Sequence, residues 1–110
     1  VFQEVAVNKR HKEQLDFICY VMGITDKDKN KIKLVYEIML SEGIVSSCEL
    51  RGQLCEYFPC AYREGAKALG CTLEGLQGLL EEGEIDSYEF FDCLFCHLEK
   101  RLHEQFENKL

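Results

Sequence analysis

Apolar residues recur along this chain at intervals of three and four. Leu15, Ile18, Cys19 and Met22 follow the i, i+3, i+4, i+7 spacing, which predicts a first helix from about Lys9 to Met22. Gly23 ends it as a C′ glycine does. Thr25 then caps a second helix, with Asp26 and Asp28 near the positive end of its dipole. Ile32, Val35, Tyr36 and Met39 form its apolar stripe, which stops at Ser41-Glu42-Gly43. A third helix is expected from Ser46, where Ser46 and Glu49 stand in capping-box relation; Leu50, Leu54, Tyr57 and Phe58 form its apolar face and Pro59 closes it. Residues 60–71 read as a short helix or turn bounded by Cys60 and Cys71. A fourth helix, weakened by Gly75 and Gly78, runs from Thr72 to Leu80. The last begins near Asp86, and Phe91, Leu94, Phe95, Leu98, Leu102 and Phe106 share one side of it. Nothing alternates with period two, so no strand beyond a short bridge is expected. The pattern predicts an all-α fold: a compact bundle of four to five short helices in one domain, residues 1–110.

One unit occurs twice. Residues 40–54 read LSEGIVSSCELRGQL and residues 80–94 read LEEGEIDSYEFFDCL; shifted by 40, six of the fifteen positions are identical. These are Leu40/Leu80, Glu42/Glu82, Gly43/Gly83, Ser47/Ser87, Glu49/Glu89 and Leu54/Leu94. In each copy a helix ends, glycine supplies a sharp turn, Val45 or Ile85 plugs the corner, and a capped helix leaves.

This repeat resembles the second half of an EF-hand loop with its exiting helix. Gly43, Val45 and Glu49, and Gly83, Ile85 and Glu89, take the positions of the loop glycine, the apolar plug and the closing glutamate. The resemblance implies that the two plugs pair side by side as a small antiparallel bridge. It does not extend to calcium chemistry, which needs oxygen ligands at loop positions 1, 3 and 5. Those positions hold Ile38, Leu40 and Glu42 in one copy and Gly78, Leu80 and Glu82 in the other. A rival register, Asp26-x-Asp28-x-Asn30 with Glu37, puts Lys31 where the turn needs glycine, and is read as the start of a helix. Strong calcium binding is not expected.

Charge narrows the partners. The chain carries a net charge of −7, from 20 acidic against 13 basic residues, which argues against a duplex nucleic-acid binder. Lys27–Lys33 alternates with Asp and Asn and reads as a solvated helical turn. No apolar run approaches the roughly 20 residues that span a bilayer. The opening VFQEVAVNKRHKEQ is too polar for a signal peptide, and lacking an initiator Met it is expected to be processed or trimmed.

Seven cysteines are more than an ordinary cytosolic domain carries and suit a secreted helical protein. On helical wheels Cys93 and Cys96 point away from the Phe91/Leu94/Phe95 side, and Cys48 and Cys55 away from Leu50 and Leu54, whereas Cys19 lies on an apolar face. Cys48, Cys55, Cys60, Cys71, Cys93 and Cys96 are therefore candidates for three disulfides of unassigned connectivity, with Cys19 free. Cys93-Leu94-Phe95-Cys96-His97 also spells the C-x-x-C-H of c-type haem attachment, and Cys93, Cys96 and His97 with one more thiol could close a zinc site. Five further cysteines and the lack of a second C-x-x-C weigh against both, so no cofactor is assigned. His11 and His103 read as exposed on polar faces, and no catalytic constellation stands out.

The expected function is that of a secreted, non-enzymatic binding protein whose helices enclose an apolar groove for a hydrophobic small molecule or a partner's helix. Met22, Tyr36, Met39, Tyr57, Phe91 and Phe95 are the candidates to line it. The alternative is an intracellular, degenerate EF-hand-like module that grips a target peptide. The odd cysteine makes a homodimer a further expectation.

Overall fold

The computed structural model describes residues 2–108, with side chains from residue 9 to 105 and at 107. Among them are six α-helices and one π-helical stretch: α1 Phe2–Met22, α2 Asp26–Glu42, the π-helix Cys48–Leu54 continuing into α3 Cys55–Tyr57, α4 Ala61–Leu69, α5 Leu73–Glu81 and α6 Ser87–Asn108. The all-helical expectation holds, but the helices are not uniformly short. α1 and α6 run for 21 and 22 residues, and the 60–71 segment contains a full helix, α4. Phe106, expected on the α6 stripe, lies outside the described side chains.

The caps form as their residues dictate. Thr25 Oγ1 accepts from the Asp28 N–H at 3.2 Å, and Thr72 Oγ1 from the Gly75 N–H at 3.0 Å. Gly43, with φ of 85°, ends α2, and Gly83, with φ of 67°, makes the second corner; only glycine enters this left-handed region without strain.

The two corners meet. Ile44 and Asp86 form an isolated antiparallel bridge, the Val45 N–H donates to the Ile85 carbonyl at 2.9 Å, and the Ser87 N–H donates to the Gly43 carbonyl at 2.9 Å. Val45 and Ile85 are both buried. Chain segments 40 residues apart thus share one joint, from which both exiting helices depart.

Those helices differ. In α6, Phe90, Phe91, Leu94, Phe95 and Leu98 are all buried, and the Phe90, Phe91 and Phe95 rings meet one another at 5.4 and 5.5 Å. Phe90 also presses on α4 at Gly65, where a β-carbon would stand 2.8 Å from its ring. The first copy leaves its corner as a π-helix, marked by the Cys55 N–H bonding back five residues to the Leu50 carbonyl. It buries Leu50, Leu54 and Phe58 and stops before Pro59, with the Phe58 backbone already outside the helical region (φ −137°, ψ 74°).

α1 and α6 are parallel neighbours. Arg10 pairs with Asp92, Gln14 reaches Cys96, and Phe17 stacks on His103 with centroids 4.3 Å apart, so both residue numbers rise together along the seam. The N-terminal end of α1 and the C-terminal end of α6 consequently point to opposite ends of the molecule, whose longest dimension is 43 Å.

All seven cysteines are unbridged in this structure, so the three bridges expected through Cys48, Cys55, Cys60, Cys71, Cys93 and Cys96 find no support in it. Cys19 is unbridged like the rest and buried. The layers that the bridges were to tie are instead held by one continuous apolar cluster, against which Cys55, Cys60 and Cys71 pack as half-buried side chains.

Candidate functional site

A chain of polar side chains rooted in the buried His11 links α1, α2 and α6. His11 has no exposed surface, which corrects its placement on a polar face. Its Nδ1 lies 2.7 Å from the Tyr36 hydroxyl and its Nε2 3.0 Å from Asp92 Oδ1; Arg10 also pairs with Asp92. Because the Asp92 carboxylate can only accept, Nε2 carries the proton, and Nδ1 accepts from the Tyr36 O–H. Burial lowers the His11 pKa from its ordinary value against the opposing pull of Asp92, so the ring is held neutral. Burial likewise drives the Tyr36 phenol well above its usual range, which keeps it a donor. For Asp92, burial pushes upward, but the hydrogen bond from His11 and the charge of Arg10 prevail and hold it below the ordinary carboxylate value.

Above this network is a cleft of about 370 Å³ lined by Lys12, Tyr36, Glu37, Leu40, Ser41 and Tyr88. Tyr88 is shared with a shallower depression over Arg10, Glu89 and Asp92. Tyr36 therefore joins the buried histidine to the cleft wall. With a neutral imidazole and a protonated phenol, the arrangement presents hydrogen-bonding groups and a tyrosine face rather than a nucleophile.

A second polar cluster ties α4 to α6. Glu64 is 2% exposed; its carboxylate pairs with Arg101, meets His97 Nε2 at 3.0 Å, and has Lys67 at 4.0 Å. Burial raises the Glu64 pKa, yet the hydrogen bonds from Arg101 and His97 outweigh it and leave the group ionised below its normal value.

The expected site residues scatter. Of the groove candidates, Tyr36 lines the cleft, Met39, Phe91 and Phe95 are buried in the core, Tyr57 is half-buried, and Met22 is 40% exposed. Cys93 and Cys96 lie one turn apart on α6, while His97 turns to Glu64. Among the described residues no group of three His, Cys, Asp or Glu side chains is placed to hold a metal. The residues missed from sequence were His11, Gln14 and Glu64. His11 stands four before Leu15 and seven before Ile18, so the apolar stripe of α1 already passed through it.

The fold and site define an all-helical protein with two joined corners and a buried polar spine. No family model matches the chain, and no solved structure does. A probable tape measure protein of Salmonella phage Felix O1 is 34% identical over 65 residues, which is 59% of this chain and 9% of that protein. The chain thus aligns with less than a tenth of the length of the curated relative it matches. No helix among the described residues is long and apolar enough to cross a membrane.

Proposed function

We propose that this chain is a non-enzymatic helical module of a longer phage-type structural protein, acting as a spacer of fixed length. The phage tape measure relative carries this reading. The parallel pairing of α1 and α6 supports it, because chain extended from either helix leaves at opposite ends of a body 43 Å long. A hairpin module would return the chain to its entry point and add little length. The test is a chimeric phage in which the matching stretch of the tape measure protein is replaced by that of this chain. Plaques, and particles of unchanged dimensions in electron micrographs, are expected. A chimera that is expressed and folded but fails as completely as one carrying a scrambled stretch of equal length overturns the proposal.

A second reading, a degenerate EF-hand-like module that grips a target peptide, is supported by the bridge between the Val45 and Ile85 corners. Titration with amphipathic helical peptides followed by heat of binding separates the two. Saturable, stoichiometric binding favours the peptide-gripping module, and none is expected from a spacer. Alkylation of the denatured chain without reductant is expected to label all seven thiols; a protected pair would favour secretion and the disulfide-tied form.

A further inference from the structure

Cys93 and Cys96 are three residues apart on a regular stretch of α6, so they share a face. Their separation decides what they can do together. Side chains at this spacing have β-carbons about 5–6 Å apart, whereas a disulfide needs about 3.5–4.5 Å. A direct bond would distort the helix. An ion between the sulfurs would not, since thiolate–metal bonds of about 2.3 Å add the missing span.

The neighbouring helix contributes the second observation. Gln14 of α1 is 4% exposed, and its Nε2 donates to Cys96 Sγ at 3.4 Å. Its Oε1, on the same amide, is buried and has no hydrogen-bond partner among the described residues. Such an orphaned acceptor is costly unless something satisfies it. A cation held by the sulfurs is one candidate, and a thiolate at Cys96 would strengthen the bond from Nε2.

We propose that Cys93 and Cys96, with the buried Gln14 amide beside them, form a two-thiolate site for a soft monovalent metal ion of the Cu(I) class. Thiolates select soft ions. No group of three His, Cys, Asp or Glu side chains gathers among the described residues, which disfavours an ion that demands four such ligands and suits one content with two. On binding, each thiol loses its proton to solvent and forms one sulfur–metal bond, with no change of oxidation state. Glu89 and Asp92 bring negative charge to the surroundings of Cys93, which attracts a cation. This site is independent of the spacer reading and stands if that reading fails.

The test is an anaerobic titration of the fully reduced chain with Cu(I) in competition with a colorimetric chelator. The wild-type chain is expected to withdraw one equivalent. Cys93→Ser/Cys96→Ser is expected to lose that equivalent, with at least a hundredfold weaker uptake, while Cys48→Ser/Cys71→Ser keeps it. Unchanged uptake by the first variant, or loss in the second, overturns the proposal, as does equal preference for Zn(II). If the first variant fails to fold, peptide mapping of alkylation on the Cu(I)-loaded wild type decides. Protection of Cys93 and Cys96 supports the site, and protection of other cysteines instead sinks it.

Discussion

The two exits from the shared corner begin with nearly the same residues and end differently. Leu50 and Phe90 occupy equivalent positions, as do Leu54 and Leu94, and all four are buried. The divergence lies between them. Arg51 stands where the second copy has Phe91; its guanidinium lies 4.7 Å over the Tyr62 ring and Nη1 donates to Gln77 Oε1 at 3.1 Å, outside the core. Phe91 instead meets Tyr36 edge-on at 4.8 Å inside it. Further on, Pro59 stops the first helix where Glu99 lets the second continue. A corner is therefore a portable local device, whereas the length and depth of the helix that leaves it depend on a few later side chains.

Cutting back the equivalent core residues should produce the largest effect. Phe90→Ala is expected to cost about 3–5 kcal/mol, and Leu50→Ala about 2–5 kcal/mol but less than Phe90→Ala in the same host. Urea unfolding of both variants measures the difference; equal losses would mean that the π-helix carries as much of the core as α6 does. The corners themselves should respond alike. Gly43→Ala and Gly83→Ala each force a β-carbon into the left-handed region and are expected to cost about 1–2 kcal/mol. A cost confined to one would break the equivalence of the two joints.

Gly52 tests the π-helix with the opposite sign. A β-carbon there meets nothing within 4 Å, and Gly52→Ala is expected to stabilise the chain by about 0.5–1 kcal/mol through helix propensity. Destabilisation would show that the wide turn needs glycine.

Acid should act on the two copies differently. His11 has its pKa lowered in the folded state, so its contribution is complete above about 6.5 and is lost as pH falls below that value. Asp92 and Glu64 are also lowered, so their contributions are lost further into acid, below the ordinary carboxylate range. All three side chains bear on α6. Glu42, beside the first corner, is held above its ordinary value, first by its hydrogen bond with Glu49, and gains rather than loses as pH falls. Thermal midpoints between pH 7.5 and 5 are expected to drop for the wild type, and His11→Gln should flatten the upper part of that slope. A slope unaltered by this substitution would place the titration elsewhere.

The sequence carried the corners because their chemistry is local: Gly43, Gly83, Thr25, Thr72, Ser46 and Asp86 each act within three or four residues. Glu49 donates its N–H to Ser46 Oγ at 3.2 Å and Glu89 to Asp86 Oδ2 at 2.9 Å, as the capping spacing implied. The buried polar groups were less legible. Glu64 is concealed by Arg101, 37 positions away, and His11 by Asp92, 81 away, and no short-range pattern announces such partners. The cysteines were not legible in the same way, because composition reports compartment only by association, while bonding requires two sulfurs to meet, and none do in this structure.

The parallel seam between α1 and α6 has a mechanical meaning. Tension applied through the outer ends of these helices would try to slide one along the other rather than peel them apart. In that geometry the Arg10–Asp92 pair, the Gln14–Cys96 contact and the Phe17–His103 stack are strained together rather than in turn. A body joined in this way resists stretching as a lap joint does, by sharing the load along its whole overlap.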